Sequence, residues 1–255
     1  MRARVSWIGA GPTVAETARR RPGPALIAAI LVALAILLSL GTWQLYRLQW
    51  KEALVAEIAA RQKAAPASLA DVERMAAHGT EIDYLPATVA GSFDHAHEQY
   101  FFATDDGKVG YHVYTPLRLD DGRSVFVNRG FVPEPLKDPS GRAEGQVAGA
   151  VTITGLARAR LDAKPSWVVP ENEPQKKLYF WKDLHAMAAE ASIPPDRLVP
   201  FFIDAGAAAN PGGWPKGGVT QLDLPNNHLS YALTWYGLAA VLVVVSVLAF
   251  RRKAG

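Results

Sequence analysis

The sequence predicts a membrane protein in which two transmembrane α-helices flank one β-rich domain, an antiparallel sheet or barrel with a few short helices. Three observations carry this reading. Two long stretches without a charged residue lie near the ends of the 255-residue chain, 22–46 and 229–250. The positive charge is confined to those ends. Between the stretches, the apolar pattern changes from a helical period to a period of two from Leu85 onward.

The charge is unevenly placed. Arg2, Arg4, Arg19, Arg20 and Arg21 face only Glu16 before Pro22, giving the N-terminal end +4, and Arg251, Arg252 and Lys253 give the C-terminal end +3. The whole chain carries +3, which leaves residues 22–250 at −4. Nucleic-acid binding by that large middle part is disfavoured, because phosphate neutralisation needs clustered cations. With no cysteine in the chain, disulfide scaffolds, zinc ribbons, Cys-ligated clusters, a C-x-x-C-H haem attachment and a cysteine nucleophile are excluded.

The first apolar stretch has 25 residues and the second 22. At about 1.5 Å per residue they reach roughly 37 and 33 Å, enough for a hydrocarbon core of about 30 Å. Trp43, Tyr46 and Trp50 on the first, and Tyr231, Trp235 and Tyr236 on the second, stand at the ends that face the middle of the chain. That is the position of an interfacial aromatic belt. The positive-inside rule then predicts a cytoplasmic tail over 1–21, a first membrane helix over 22–46, an outer domain over 47–228, a second membrane helix over 229–250 and a cytoplasmic tail over 251–255. In a bacterial inner membrane the domain is periplasmic. Ser39-Leu40-Gly41 loosely fits a signal-peptide cleavage site, but the helical pattern runs through it without a break; a mitochondrial inner membrane is the other alternative.

Residues 43–63 read as a helix leaving the membrane, with Trp43, Tyr46, Trp50 and Leu54 on one stripe and Gln44, Arg47 and Lys51 beside it. A short helix follows within Ala65–Thr80, with Ser68 as N-cap and Gly79 after its last turn. Strands are predicted at Leu85–Phe93, Gln99–Thr104, Gly110–Leu119, Ser124–Val132, Val147–Ala157, Leu178–Trp181 and Val199–Asp204, divided by turn signals such as Asp105-Asp106-Gly107 and Asp120-Asp121-Gly122. One helix over Trp181–Glu190 is stopped by Pro194-Pro195. Long loops rich in Pro and Gly fall at 134–146, 162–176 and 205–218.

The residues carry no hydrolase, zinc-protease, P-loop or dinucleotide-binding motif, and no positive sign of enzymatic activity. His78, His112 and His185 stand alone and read as ordinary surface or core residues. Asp94-His95-Ala96-His97-Glu98 has a metal-ligand spacing, though residues two apart on a strand share a face for trivial reasons. His228 differs. Asn226 and Asn227 can cap the second membrane helix and place His228 in its first turn, where the helix dipole favours the neutral ring with a free lone pair. Helical spacing puts Tyr231 and Trp235 on its face, an apolar wall suited to an axial haem ligand; an interfacial histidine bonded to lipid or backbone is the alternative. Arg47 and Gln44 stand at the corresponding end of the first helix. The guanidinium suits either a porphyrin propionate or formyl oxygen or a lipid phosphate.

Three stretches taken together resemble a known family: Gly41-Thr-Trp-Gln-Leu-Tyr-Arg47-Leu-Gln-Trp-Lys51, Val127-Asn-Arg-Gly-Phe-Val-Pro133 and Pro225-Asn-Asn-His-Leu-Ser-Tyr-Ala-Leu-Thr-Trp-Tyr-Gly-Leu-Ala239. With Gly110–Leu117 and Asp204-Ala-Gly206, they are similar in order and topology to the surfeit locus (Shy-type) family of cytochrome c oxidase assembly factors, in its bacterial form. The resemblance implies a non-enzymatic role close to insertion of haem a into the oxidase catalytic subunit. It puts haem iron on His228, with Trp43, Gln44, Arg47, Tyr231 and Trp235 around the cofactor. The catalytic subunit, the haem a synthase and the bilayer are the implied partners. The alternative is a cofactor-free scaffold that stabilises an early oxidase intermediate, docking through Asn128, Arg129, Gly130 and the long loops. The resemblance gives no support to a metal at His95 and His97.

Overall fold

In a computed structural model the structure describes residues 23–218 and 226–254. The expected tail over 1–21 and Pro225 of the third motif lie outside these. The elements run α1 (Pro24–Gln62), β1 (Ala67–Ser68), α2 (Leu69–Ala77), β2 (Pro86–Phe93), β3 (Gln99–Asp105), β4 (Lys108–Arg118), β5 (Ser124–Pro133), β6 (Ala150–Ala159), β7 (Leu178–Tyr179), α3 (Leu184–Glu190), β8 (Leu198–Ala205) and α4 (His228–Ala254). The chain divides into two compact units. One holds the residues up to Ala53 and those beyond Leu224, the other those from Leu54 to Leu224.

In the first unit, α1 and α4 are long and apolar enough to cross a membrane. Small residues line the contact between them: Gly41 on α1, and Ala232 and Ala239 on α4, are buried. A Cβ on Gly41 would stand 2.9 Å from the ring of Tyr236 on α4. Only glycine lets the helices approach this closely. Thr42 Oγ1 and Tyr236 Oη, 3.0 Å apart, add a hydrogen bond beside that contact.

The second unit is a barrel with additions. The strand order is β1-β2-β6-β8-β5-β4-β3-β7, and Ser92 and Phe93 of β2 also pair with Arg118 and Leu117 of β4. That pairing closes β2, β6, β8, β5 and β4 into a ring, which decides between the open sheet and the barrel. The sheet is mixed where an antiparallel one was expected: β1 with β2, β3 with β7 and β5 with β8 run parallel. The β5–β8 pair is joined through β6, β7 and α3, and a long crossover of this kind permits a parallel neighbour. The β3–β4 hairpin turns on Asp106 and Gly107, both with positive φ, as the Asp-Gly signal predicts.

Inside the ring, Val89, Leu117, Val125, Val127, Phe201 and Ile203 meet Val72 of α2. At about 1.5–3 kcal/mol per buried large apolar side chain, this cluster outweighs any single polar contact in the unit. Ser68 Oγ accepts the Asp71 N–H at 3.2 Å and caps α2, as predicted. On the outer face, Tyr114, Phe126 and Phe202 pack against Leu184, Met187 and Ala188 of α3. This helix begins at Leu184 rather than Trp181, because the Asp183 carboxylate caps it by accepting the Ala186 N–H at 3.0 Å.

Candidate functional site

His228 is the first residue of α4, and the carbonyl of Asn227 before it accepts the Tyr231 N–H at 3.1 Å. Asn227 is thus the cap position expected from the sequence. Gln44 of α1 is buried, and its Oε1 lies 2.7 Å from His228 Nδ1. A carbonyl oxygen can only accept, so Nδ1 carries a proton, and the neutral form of the ring has its lone pair on Nε2. The buried amide therefore fixes both the tautomer and the ring orientation, as the outer partner of a metal-ligating histidine does.

The other predicted residues surround this pair unevenly. Trp43 and Tyr231 are each 56% exposed, and Trp235 is half-buried. On α1, Trp43, Tyr46 and Trp50 form an exposed stripe, distinct from the Gly41 and Gln44 side that meets α4. The Arg47 guanidinium stacks over the Trp50 ring, 3.9 Å from its centroid. The donor set is of the kind that suits haem: an imidazole nitrogen not taken up by Gln44, aromatic surface left open, and the Arg47 cation about one turn beyond Gln44 on α1. Gly41, Thr42 and Tyr236, which set the spacing of the helices under this site, were not singled out as site residues; the first and third motifs contain all three.

The three residues expected to dock a partner are not a surface. Asn128 is 3% exposed and Arg129 2%, and Gly130 is buried with them. Between the pairs His112↔Phe131 and Tyr114↔Asn128, β5 carries one residue more than β4, so the motif is a β-bulge. Gly130 supplies the φ of +124° that the bulge needs, and a Cβ there would strike the Lys216 carbonyl at 2.0 Å. Asn128 Oδ1 accepts the Gly130 N–H at 3.1 Å, and its amide donates to Asp204 at 3.1 Å and to His112 Nδ1 at 3.4 Å.

The bulge aims Arg129 inward, where it donates to Glu98 Oε1 at 3.2 Å and to the Gly145 carbonyl. Arg142 donates to both oxygens of Glu98, at 2.5 and 3.3 Å, and Gln146 adds a bond at 3.1 Å. Burial alone raises the Glu98 carboxyl, but the bonds from His95, Arg142 and Gln146 outweigh it and hold the group at about 2. Sequence reasoning missed this cluster, since Glu98 and Arg142 lie 44 residues apart with no local signal.

The His95–His97 spacing does not form a metal centre. His95 Nε2 donates to the Val147 carbonyl at 2.9 Å, whereas His97 Nδ1 lies 2.9 Å from Asp94. Among the described residues, no group of three His, Cys, Asp or Glu is placed to hold a metal ion.

The family model described as "SURF1 family" matches residues 31–240, which include the barrel, most of α1 and the first half of α4. The chain is 38% identical to Surfeit locus protein 1 of Rattus norvegicus over 84% of its length and 71% of that protein's. It is 36% identical to a SURF1-like protein of Monosiga brevicollis over 95% of its length and 93% of that protein's. With human Surfeit locus protein 1 it shares 37% identity, covering 79% of this chain and 69% of the human protein. On a match of this length and with relatives this similar, the chain belongs to the SURF1 family.

Proposed function

We propose that this chain, as a member of a family of cytochrome c oxidase assembly factors, binds haem a at the α1–α4 pair and assists its insertion into the oxidase catalytic subunit. The observation that carries this reading is the Gln44–His228 bond, which leaves Nε2 as the one ring nitrogen able to take iron. In this reading His228 would hold the iron through Nε2. Trp43, Tyr231 and Trp235 supply the apolar and aromatic surface that keeps water from the ring, and Arg47 balances charge at its polar edge. Haem a itself supplies the redox-active iron that the finished oxidase uses.

A carrier must release what it holds. One protein ligand leaves the iron exchangeable, and transfer runs downhill only if this site binds more weakly than the oxidase. The barrel domain, placed in the periplasm with both termini in the cytoplasm, is the part that meets the catalytic subunit or the haem a synthase. The scaffold alternative loses the Asn128–Gly130 part of its docking surface and is left with the long loops.

The test is the absorption spectrum of the full chain, purified in detergent from a host that makes haem a, with the pigment identified as its pyridine haemochrome. A stoichiometric haem a signal that disappears in His228→Ala is expected. A colourless protein that still rescues oxidase assembly would overturn the carrier reading.

A further inference from the structure

The barrel unit holds a second concave site that the haem reading does not use. A cleft of 330 Å³ lies on the outer face of the sheet, lined by Phe101 and Phe102 of β3, His112 of β4, Arg158 of β6, Asp204 of β8 and Lys182 just before α3. Asn128 and Tyr84 complete it. A cavity of this size holds a small molecule, and its lining is half polar in character, unlike the apolar packing of α3 on the same face.

The polar groups of the cleft are mostly donors. The Asn128 amide is oriented by the Gly130 N–H on its oxygen, so its nitrogen donates to His112 Nδ1 and to Asp204. The neutral His112 ring therefore keeps its own proton on Nε2, and burial holds the imidazole below its ordinary range. Arg158 donates to Asp83 at 3.2 Å, pairs with Asp204 at 3.5 Å and lies under the Tyr84 ring. Tyr84 is held at a φ of +63°, a conformation costly for a tyrosine and one that clusters at binding sites.

Lys182 is the group left over. Its Nζ lies 5.8 Å from the centroid of Tyr114 and 6.0 Å from that of Phe202, and among the described residues it forms no ion pair or hydrogen bond. Burial pushes its ammonium down, Asp204 opposes this through space, and Arg158 reinforces it. A half-buried cation set against ring faces, its nearest opposing charge Asp204 shared with Asn128 and Arg158, gains from an anion placed against it.

We propose that this cleft binds a small organic anion, its carboxylate or phosphate head on the Lys182 ammonium and the His112 Nε2–H, its apolar body against Phe101 and Phe102. The Asp204 carboxylate opposes an anion here, but its charge is shared with Asn128 and Arg158, which leaves the Lys182 ammonium and the His112 Nε2–H to hold the head. The site is independent of His228 and is tested without haem.

The test is a titration of the full-length detergent-solubilised chain, labelled with 15N-histidine, with inorganic phosphate and separately with hexanoate. The His112 ring signal is assigned by its loss in His112→Asn. A saturable shift with Kd on the order of 1 mM is expected, the strength of one or two charge-assisted bonds. Saturation by phosphate means that the oxyanion head suffices; saturation by hexanoate alone means that the apolar body is needed. Lys182→Met, which keeps the stem over Tyr114 and Phe202, is expected to weaken binding at least tenfold, and His228→Ala to leave it unchanged. If Lys182→Met does not fold, Lys182→Arg keeps the cation and is expected to bind while Lys182→Gln is not. No saturable shift with either probe, or native-like binding by a folded variant without the cation, overturns the proposal.

Discussion

Glu98→Gln tests whether the Asn128–Gly130 motif serves the fold or a partner. The substitution keeps the shape of the side chain and removes one negative charge. Arg129 and Arg142, with side chains 2% and 1% exposed, are then left facing each other without a carboxylate. Breaking a buried pair in this way costs about 3–5 kcal/mol. The titration of Glu98 gives a second figure. Its carboxyl falls from the ordinary 4.5 to about 2 on folding, and at about 1.4 kcal/mol per pH unit this is worth about 3 kcal/mol. The two agree. For a unit of this size the melting temperature should fall by about 10 °C. Because the folded value is depressed, the stabilisation is fully present above pH 4.5 and lost as pH falls toward 2. The difference between native and Glu98→Gln, followed by near-ultraviolet circular dichroism of the full chain, should be flat above pH 5 and close toward pH 2. A cost below about 1 kcal/mol, or a difference that persists at pH 2, would refute the reasoning and return Arg129 to a role outside the fold.

Gln44→Leu removes the acceptor that fixes His228, and haem affinity measured by titration should fall about 10–100-fold while the melting temperature changes little; unchanged affinity would mean that the bond does not orient the ligand. Gly41→Val drives a branched side chain into the Tyr236 ring and should separate α1 from α4, lowering haem occupancy as His228→Ala does even though every candidate ligand remains. Gly130→Ala meets both a positive φ and the Lys216 carbonyl, so it should destabilise the barrel unit by about 2 kcal/mol or more in denaturant titration, with the haem spectrum of surviving protein intact.

The strand positions were legible because half-buried strands alternate and their turns are marked. Gln99–Thr104 was expected and Gln99–Asp105 is found, with Asp106-Gly107 turning the chain. Pairing direction was not legible. A strand covered on both faces looks the same in sequence whether its neighbour runs parallel or antiparallel, and β5, buried from Ser124 to Val132, carries no alternation at all. The two-residue β1 has no period to read. At the candidate site, His228 was singled out from its place at a helix start and Gln44 from its place where the apolar stretch of α1 ends, but their bond depends on how two residues 184 positions apart are packed together. Asn128 and Arg129 were misplaced for the opposite reason. Polar residues in a strand ordinarily face water, and nothing local reveals that a bulge turns this arginine toward a carboxylate 31 residues earlier.

The choice of glutamine at position 44 bears on what the site is for. A carboxylate partner on Nδ1 would draw the ring toward imidazolate character and make Nε2 a stronger donor, as the outer partners of permanent metal sites do. An amide carbonyl orients the ring equally well but is neutral, so it adds no charge to strengthen Nε2 as a donor. It also avoids placing an unpaired negative charge among buried small residues at a helix contact, where Gly41, Ala232 and Ala239 offer nothing to balance it. For the proposed carrier, firm orientation without added ligand strength is what capture of iron in one geometry and its later release require. A residue that only stabilised the helix pair would not need to present its oxygen to one particular ring nitrogen.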